Sequence, residues 1–254
     1  MGTAESLSSL PLSPMNPDRL RRLWAWVLGA GLLAGFVAWL GGEACRTVFK
    51  PTRFARNSKG MILQVTDRRD EAATDAKNAG LAFAILGGSL GAGLGIAGGL
   101  ARQSGRAAGS AGLLGLLVGT AGCAIVSLAI LPAYNAYKDR DPDRASIDML
   151  IPLLVHAGIW SVAGGAGGLA LSRGAGMKGR SASAVMGGFA GASFATVVFE
   201  VIGAAIFPEA QTTQFLSLTW QTRLLARLLV SVLASVGVSL AIADNRSQPT
   251  PPSA

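Results

Sequence analysis

Six apolar stretches, each long enough to cross a bilayer, constrain this chain more than any other feature. They run over residues 23–42, 79–101, 110–133, 149–171, 184–207 and 224–243. About 20 residues at 1.5 Å rise each cross the roughly 30 Å hydrocarbon core. In lipid, a helix of that kind satisfies its own backbone hydrogen bonds. The charges follow the same division. Of the 22 Lys and Arg and the 14 Asp and Glu, only Glu200 and Arg227 fall inside these limits. The predicted fold class is an all-α integral membrane protein, a six-span helical bundle forming a single transmembrane domain over 23–243. Residues 1–22 and 245–254 read as disordered polar tails. An even number of spans places both termini on one side of the membrane.

Aromatic residues mark the span ends, as the amphipathic rings of Trp and Tyr favour the headgroup level. Trp24, Trp26 and Trp39 bracket the first span, Tyr134 and Tyr137 follow the third, and Trp220 precedes the sixth. Trp160 alone lies deep within a span. Arg19, Arg21 and Arg22 before the first apolar run suggest a secretory signal, but the run exceeds a 7–15-residue signal core and reads as a retained span. The opening Met1-Gly2-Thr3-Ala4-Glu5-Ser6 also fits the short N-myristoylation pattern. Cys45 and Cys123 are too few for a disulfide framework.

A net charge of +8 raises the question of nucleic acid. The basic residues lie in loops beside apolar spans, where they anchor to headgroups and set orientation, and no nucleic-acid-binding motif accompanies them. The expected partner is the lipid bilayer, not nucleic acid. Loops 43–78, 133–148 and 208–223 share one face, the long-loop face, with 12 Lys and Arg against 9 on the other side. The three arginines before the first span pull the opposite way, so sidedness stays open.

Spans 2–3 and 4–5 read as two copies of a glycine-rich two-helix unit, 79–132 and 149–208. Ala97-Gly98-Gly99-Leu100-Ala101 recurs as Ala166-Gly167-Gly168-Leu169-Ala170, and Gly112 and Gly115 correspond to Gly188 and Gly191. Parallel repeats of this kind occur in transporters around a central site.

Small residues four apart let membrane helices approach closely. Such rows are Gly87, Gly91, Gly95 and Gly99 on span 2, and Ala111, Gly115, Gly119 and Cys123 on span 3. Spans 4 and 5 carry Gly164 and Gly168, then Gly187, Gly191 and Ala195; span 6 carries Ser231, Ser235 and Ser239. The expectation is a tight core of spans 2–5 with spans 1 and 6 flanking, and possible association with a second copy or another membrane protein through small-residue faces. The same stretch contains two enzyme-like matches. Gly93 to Gly98 fits G-x-G-x-x-G, but no strand precedes it and no acidic residue follows before Asp139, so a dinucleotide site is rejected. Gly87 to Gly91 fits G-x-S-x-G, which needs a strained strand-to-helix turn. A Ser89–His156 dyad would require spans 2 and 4 to bring the two together.

In loop 43–78, Arg46, Lys50, Arg53, Arg56 and Lys59 recur every three or four residues. They form one basic helical face suited to an anionic lipid surface or, because Pro51 interrupts them, belong to an irregular solvated loop.

Ionisable residues at membrane depth are functional candidates. Counting 1.5 Å per residue from the long-loop face puts His156 and Glu200 about 10 Å deep and Arg227 about 5 Å. The expected arrangement is one cluster in which Glu200 and Arg227 neutralise each other and His156 bonds to either. It serves a proton- or ion-coupled site, or it fixes helix register. One His and one Glu do not make a metal site, and no cofactor is expected. The leading functional expectation is a small ion or small-molecule transporter or channel. Its alternatives are a non-catalytic membrane scaffold or assembly factor and an intramembrane Ser–His hydrolase.

Overall fold

The computed structural model describes residues 17–58, 61–140, 149–207 and 214–244. The tails and the segments 59–60, 141–148 and 208–213 lie outside the described residues. All six apolar stretches are helical: α1 (Pro17–Ala44), α2 (Arg68–Ala101), α3 (Gly105–Arg140), α4 (Leu150–Gly174), α5 (Ser181–Ile206) and α6 (Trp220–Asp244). Each is long and apolar enough to cross a membrane. The protein is an integral, multi-pass helical membrane protein.

Two helices outrun the bilayer. α2 and α3 have 34 and 36 residues, or about 51 and 54 Å at 1.5 Å per residue, so both project well beyond a 30 Å core. The projecting turns of α2 are polar and capped. Asp67 accepts from Arg69 N at 3.0 Å, and Asp70 and Glu71 occupy the first turn, where carboxylates complement the helix dipole. Pro132 does not end α3, which continues to Arg140. Beyond it, Asn135 Nδ2 donates to Ala72 O at 3.1 Å and Tyr134 is buried. These contacts hold the two stubs together where a free proline-containing end would fray.

α2 and α4 form the centre. α2 packs on α1, α3 and α4; α4 packs on α2, α3 and α5; α6 closes a ring between α5 and α1, and α3 sits outside in the α2/α4 groove. About two thirds of the apolar window of α2 is buried, against 22% for α3. The expected core of spans 2–5 is thus only partly right. α3 and α5 turn large side chains outward, among them Leu117, Ile125, Phe194 and Val201, whereas α6 buries Ala226, Val230, Ala234, Val238 and Ile242 along one face.

The glycine rows coincide with the closest backbone approaches. A Cβ on Gly91 would lie 2.6 Å from the carbonyl carbon of Gly115, and one on Gly95 would lie 2.5 Å from that of Ala111. Gly87 meets Gly119, and Gly99 meets Ala108. In the α4/α5 hairpin Gly164 meets Gly188, and Gly168 meets Ala184. Gly187 and Gly191 face Gly237 and Leu233 of α6. Further approaches lay outside the sequence reading: Gly31 and Gly35 of α1 sit against the α6 backbone at Ser231 and Arg227, and Gly98 of α2 meets the α4 backbone at Leu171. The serine row of α6 does not bond across helices. Ser235 and Ser239 donate back to the carbonyls of Ser231 and Ser235, at 2.6 and 2.9 Å.

Loop 43–78 contains an antiparallel hairpin, β1 (Arg53–Ser58) and β2 (Met61–Thr66), with Arg53 opposite Thr66 and Ser58 opposite Met61. A strand alternates its side chains between two faces, so the helical spacing that suggested one basic face does not apply from Arg53 onward. The segment before it is fastened to the α2 stub. Asn78 bonds both the N–H and the C=O of Phe49 at 3.0 Å, and Thr52 N donates to Asp70 at 2.5 Å.

Candidate functional site at the long-loop face

Close glycine contacts leave little room inside the half of the bundle away from the long loops, where Leu90, Leu94, Leu171, Val238 and Ile242 are fully buried. The polar space lies at the other end. A polar vestibule of about 320 Å³ opens between the stubs of α2 and α3 and the segment leading into α6. Its polar lining includes Arg46, Asp75, Asn78, Asn135, Lys138 and Gln214, and its floor is Phe215, Leu216 and Ser217.

That floor is a strap held from both sides. Phe215 packs edge-on against Tyr134, with ring centroids 5.1 Å apart. Arg223, in the first turn of α6, donates from Nη1 to the carbonyls of Ser217 and Leu218 at 2.6 and 2.7 Å. Its Nε and Nη2 engage the two oxygens of Glu43 at the end of α1, the Nη2 bond at 2.9 Å. Glu43 also lies 3.7 Å from Arg46. A bidentate guanidinium–carboxylate pair fixes orientation as well as distance. One side chain therefore joins α1, α6 and the strap.

Below the strap lies the inner centre. His156 of α4 and Glu200 of α5 meet as the depth count suggested, with Nδ1 to Oε1 3.0 Å and both residues buried. His156 stacks on Trp160 at 5.1 Å, and Phe199 stands edge-on to both rings. Arg227 comes close to this group without joining the pair. Its guanidinium lies over the ring of Phe83, 4.9 Å from the centroid, and Nη1 has no hydrogen-bond partner. The acidic side chain acting on it electrostatically is Glu43. The anticipated Glu200–Arg227 neutralisation is replaced by two separate pairs, His156–Glu200 and Arg223–Glu43, with Arg227 between them.

Two small cavities adjoin Arg227. One, of about 20 Å³, is lined by Phe83, His156, Trp160, Phe199, Ala226 and the strap residues 215–217. The other, of about 10 Å³, is lined by Trp39, Gly42, Glu43, Ala82, Leu216 and Arg223. Each has room for one water-sized occupant.

The remaining candidates fall elsewhere. Ser89 donates to Leu86 O at 3.1 Å and lines an apolar groove of about 860 Å³ between α1, α2 and α3. His156 lines the inner cavity among α4, α5 and α6, so the two do not form a dyad. Of the basic loop residues, Arg46 borders the vestibule, and Lys50 and Arg53 are exposed. The side chain of Arg56 lies outside the described residues, as does Lys59. Among the described residues no three His, Cys, Asp or Glu side chains cluster as metal ligands.

Glu43 and Arg223 were missed from sequence because each falls one residue beyond a drawn span limit. The available signal was a lone carboxylate and a lone guanidinium at the long-loop ends of neighbouring helices. No protein-family model, curated protein or solved structure matches the chain.

Proposed function

We propose that the protein is a transporter or channel for a small solute, entered from the long-loop face and controlled by the strap 214–218 above the His156, Glu200 and Arg227 region. One observation carries this reading: Phe215, Leu216 and Ser217 line both the polar vestibule and the small inner cavity beside Arg227. A few side chains therefore divide an aqueous entrance from charged groups at membrane depth. Buried ionisable residues facing a cavity in a bundle mark solute or proton pathways. The glycine contacts that recur in the α2/α3 and α4/α5 hairpins fit a duplicated two-helix unit, around which transporter sites are built. The basic residues Lys50 and Arg53 beside the hairpin suit contact with anionic headgroups.

The scaffold reading rests on the groove along α1 and α2, whose lining is almost wholly apolar and includes Gly29, Gly93 and Ala92. A partner helix or a lipid chain suits that surface. Reconstitution of the full chain into liposomes decides between the two. Efflux of a panel of small anions, cations and neutral solutes is followed with entrapped dyes. Transport predicts flux above protein-free vesicles for at least one solute, abolished when Ser217→Trp fills the strap. Flux equal to that of empty vesicles for every solute, from protein that melts normally, favours the scaffold.

A further inference from the structure

We propose that the paired cavities beside Arg227 bind one small monovalent anion of halide size. Identifying that anion as the solute of the pathway rests on the transport reading; the binding site itself does not. Among the described residues, the buried polar side-chain atoms without a partner are Trp39 Nε1, Ser127 Oγ, Trp160 Nε1, Arg227 Nη1 and Ser231 Oγ. Three of these belong to residues that line the two cavities: Trp160 and Arg227 the larger, Trp39 and Arg227 the smaller. Indole and guanidinium nitrogens only donate. A set of orphaned donors around a small space asks for an occupant that only accepts.

Water answers this poorly. It accepts from two donors but brings two hydrogens of its own, and a buried water is held by two to four partners of both kinds. Besides His156, Ser217 and Arg223, the remaining walls of the larger cavity are apolar, with Phe83, Phe199, Leu216 and Ala226 prominent. The nearby carboxylates are engaged. Glu43 borders the smaller cavity with both oxygens on Arg223, and Glu200 is bonded to His156. A charged, almost fully buried guanidinium with a free N–H is costly unless an acceptor reaches it. Charge-assisted bonds to an anion from Arg227 and an indole supply that acceptor. The cavity volumes, about 20 and 10 Å³, set the size. A monatomic ion fits; a carboxylate or phosphate does not.

The test uses the full chain in detergent, kept in gluconate salts and titrated with sodium or potassium chloride and bromide while melting temperature and binding heat are followed. The expected result is a saturable halide-dependent rise in Tm that is indifferent to the cation and absent with gluconate. Trp160→Phe keeps the ring stack and removes one N–H. It is expected to melt at or above wild type without halide and to weaken halide binding at least about tenfold, the loss of one hydrogen bond to a charged group. Arg227→Met is expected to abolish binding. No halide-specific saturation, or saturation unchanged in both variants, overturns the site. Halide flux in proteoliposomes separates the two claims: saturable binding without halide flux keeps the site and removes halide as the solute of the pathway. Flux of another solute by protein that does not bind halide keeps the pathway and removes the site.

Discussion

Gly91→Ala is a small change with a large predicted effect. The added Cβ would lie 2.6 Å from the carbonyl carbon of Gly115 and 3.0 Å from its Cα, whereas ordinary carbon contacts begin near 3.4–3.6 Å. The obstruction is backbone on a facing helix, so no rotamer relieves it, and α2 and α3 must separate by roughly 0.8 Å. Overpacking of this kind costs about 1–3 kcal/mol, and the upper end applies because Gly87, Gly95 and Gly99 make the same approach along one seam. Alanine also gains about 1 kcal/mol over glycine in helix propensity, which partly hides the cost. Gly109→Ala on α3 corrects for this, since nothing lies within 4 Å of a Cβ there. Reversible unfolding in mixed micelles, followed by tryptophan fluorescence, should place Gly91→Ala about 3 kcal/mol below Gly109→Ala. That is more than a hundredfold in the folding equilibrium. Gly91→Leu should not fold. Equal stability of the two alanine variants would refute the argument that backbone contact at these glycines sets the helix spacing.

Other substitutions separate the buried His156–Glu200 pair and the half-buried Arg223–Glu43 pair from their surroundings. Arg223→Met removes a bidentate pair with half-buried Glu43 and two bonds to strap carbonyls and should cost about 1–3 kcal/mol, read in the same unfolding assay; Arg223→Met together with Glu43→Met should recover part of the loss. Glu200→Gln keeps an acceptor for His156 and should stay within about 1 kcal/mol of wild type, while Glu200→Ala should lose more because a buried polar partner is removed outright. If Glu200→Gln abolishes flux from protein of normal stability, the carboxylate has a functional role beyond register. Ser89→Ala should be neutral within about 0.5 kcal/mol and leave every activity unchanged, since its hydroxyl bonds only back along its own helix.

The spans were legible because lipid imposes one rule on backbone polarity, and a charge-free run of 20 residues meets it in one way. Which spans would be central was less legible. In a soluble bundle the apolar stripe points inward, but in lipid the outward face is apolar too. Leu117 on the outside of α3 and Leu90 in the core of α2 therefore look alike in sequence. Glycine spacing carried more information, as Gly87, Gly91, Gly95 and Gly99 do face a neighbouring helix; Gly31 and Gly35 of α1 carried the same signal and went unread. The hairpin was signalled by the polar, glycine-ended stretch 57–60 before the largely apolar run 61–65, while the basic spacing drew attention to a helix instead. At the inner site, depth along the helix brought His156 and Glu200 together. Depth could not say which way Arg227 turns, because that depends on how α6 rotates against α2 and on the aromatic face of Phe83.

The central claim is that the inner centre is reached from the long-loop face through the strap. Cysteine accessibility tests it directly. In a background of Cys45→Ser and Cys123→Ala, Lys138→Cys marks the vestibule, Ser217→Cys the strap and Ala226→Cys the inner cavity. A membrane-impermeant maleimide applied to sealed vesicles of each orientation should label these positions in falling order of rate: Lys138, then Ser217, then Ala226. Lys138 and Ser217 should be labelled only from the long-loop face. Labelling at Ala226 as fast as at Lys138 from that face, or labelling at Ser217 from the opposite face, would contradict the account.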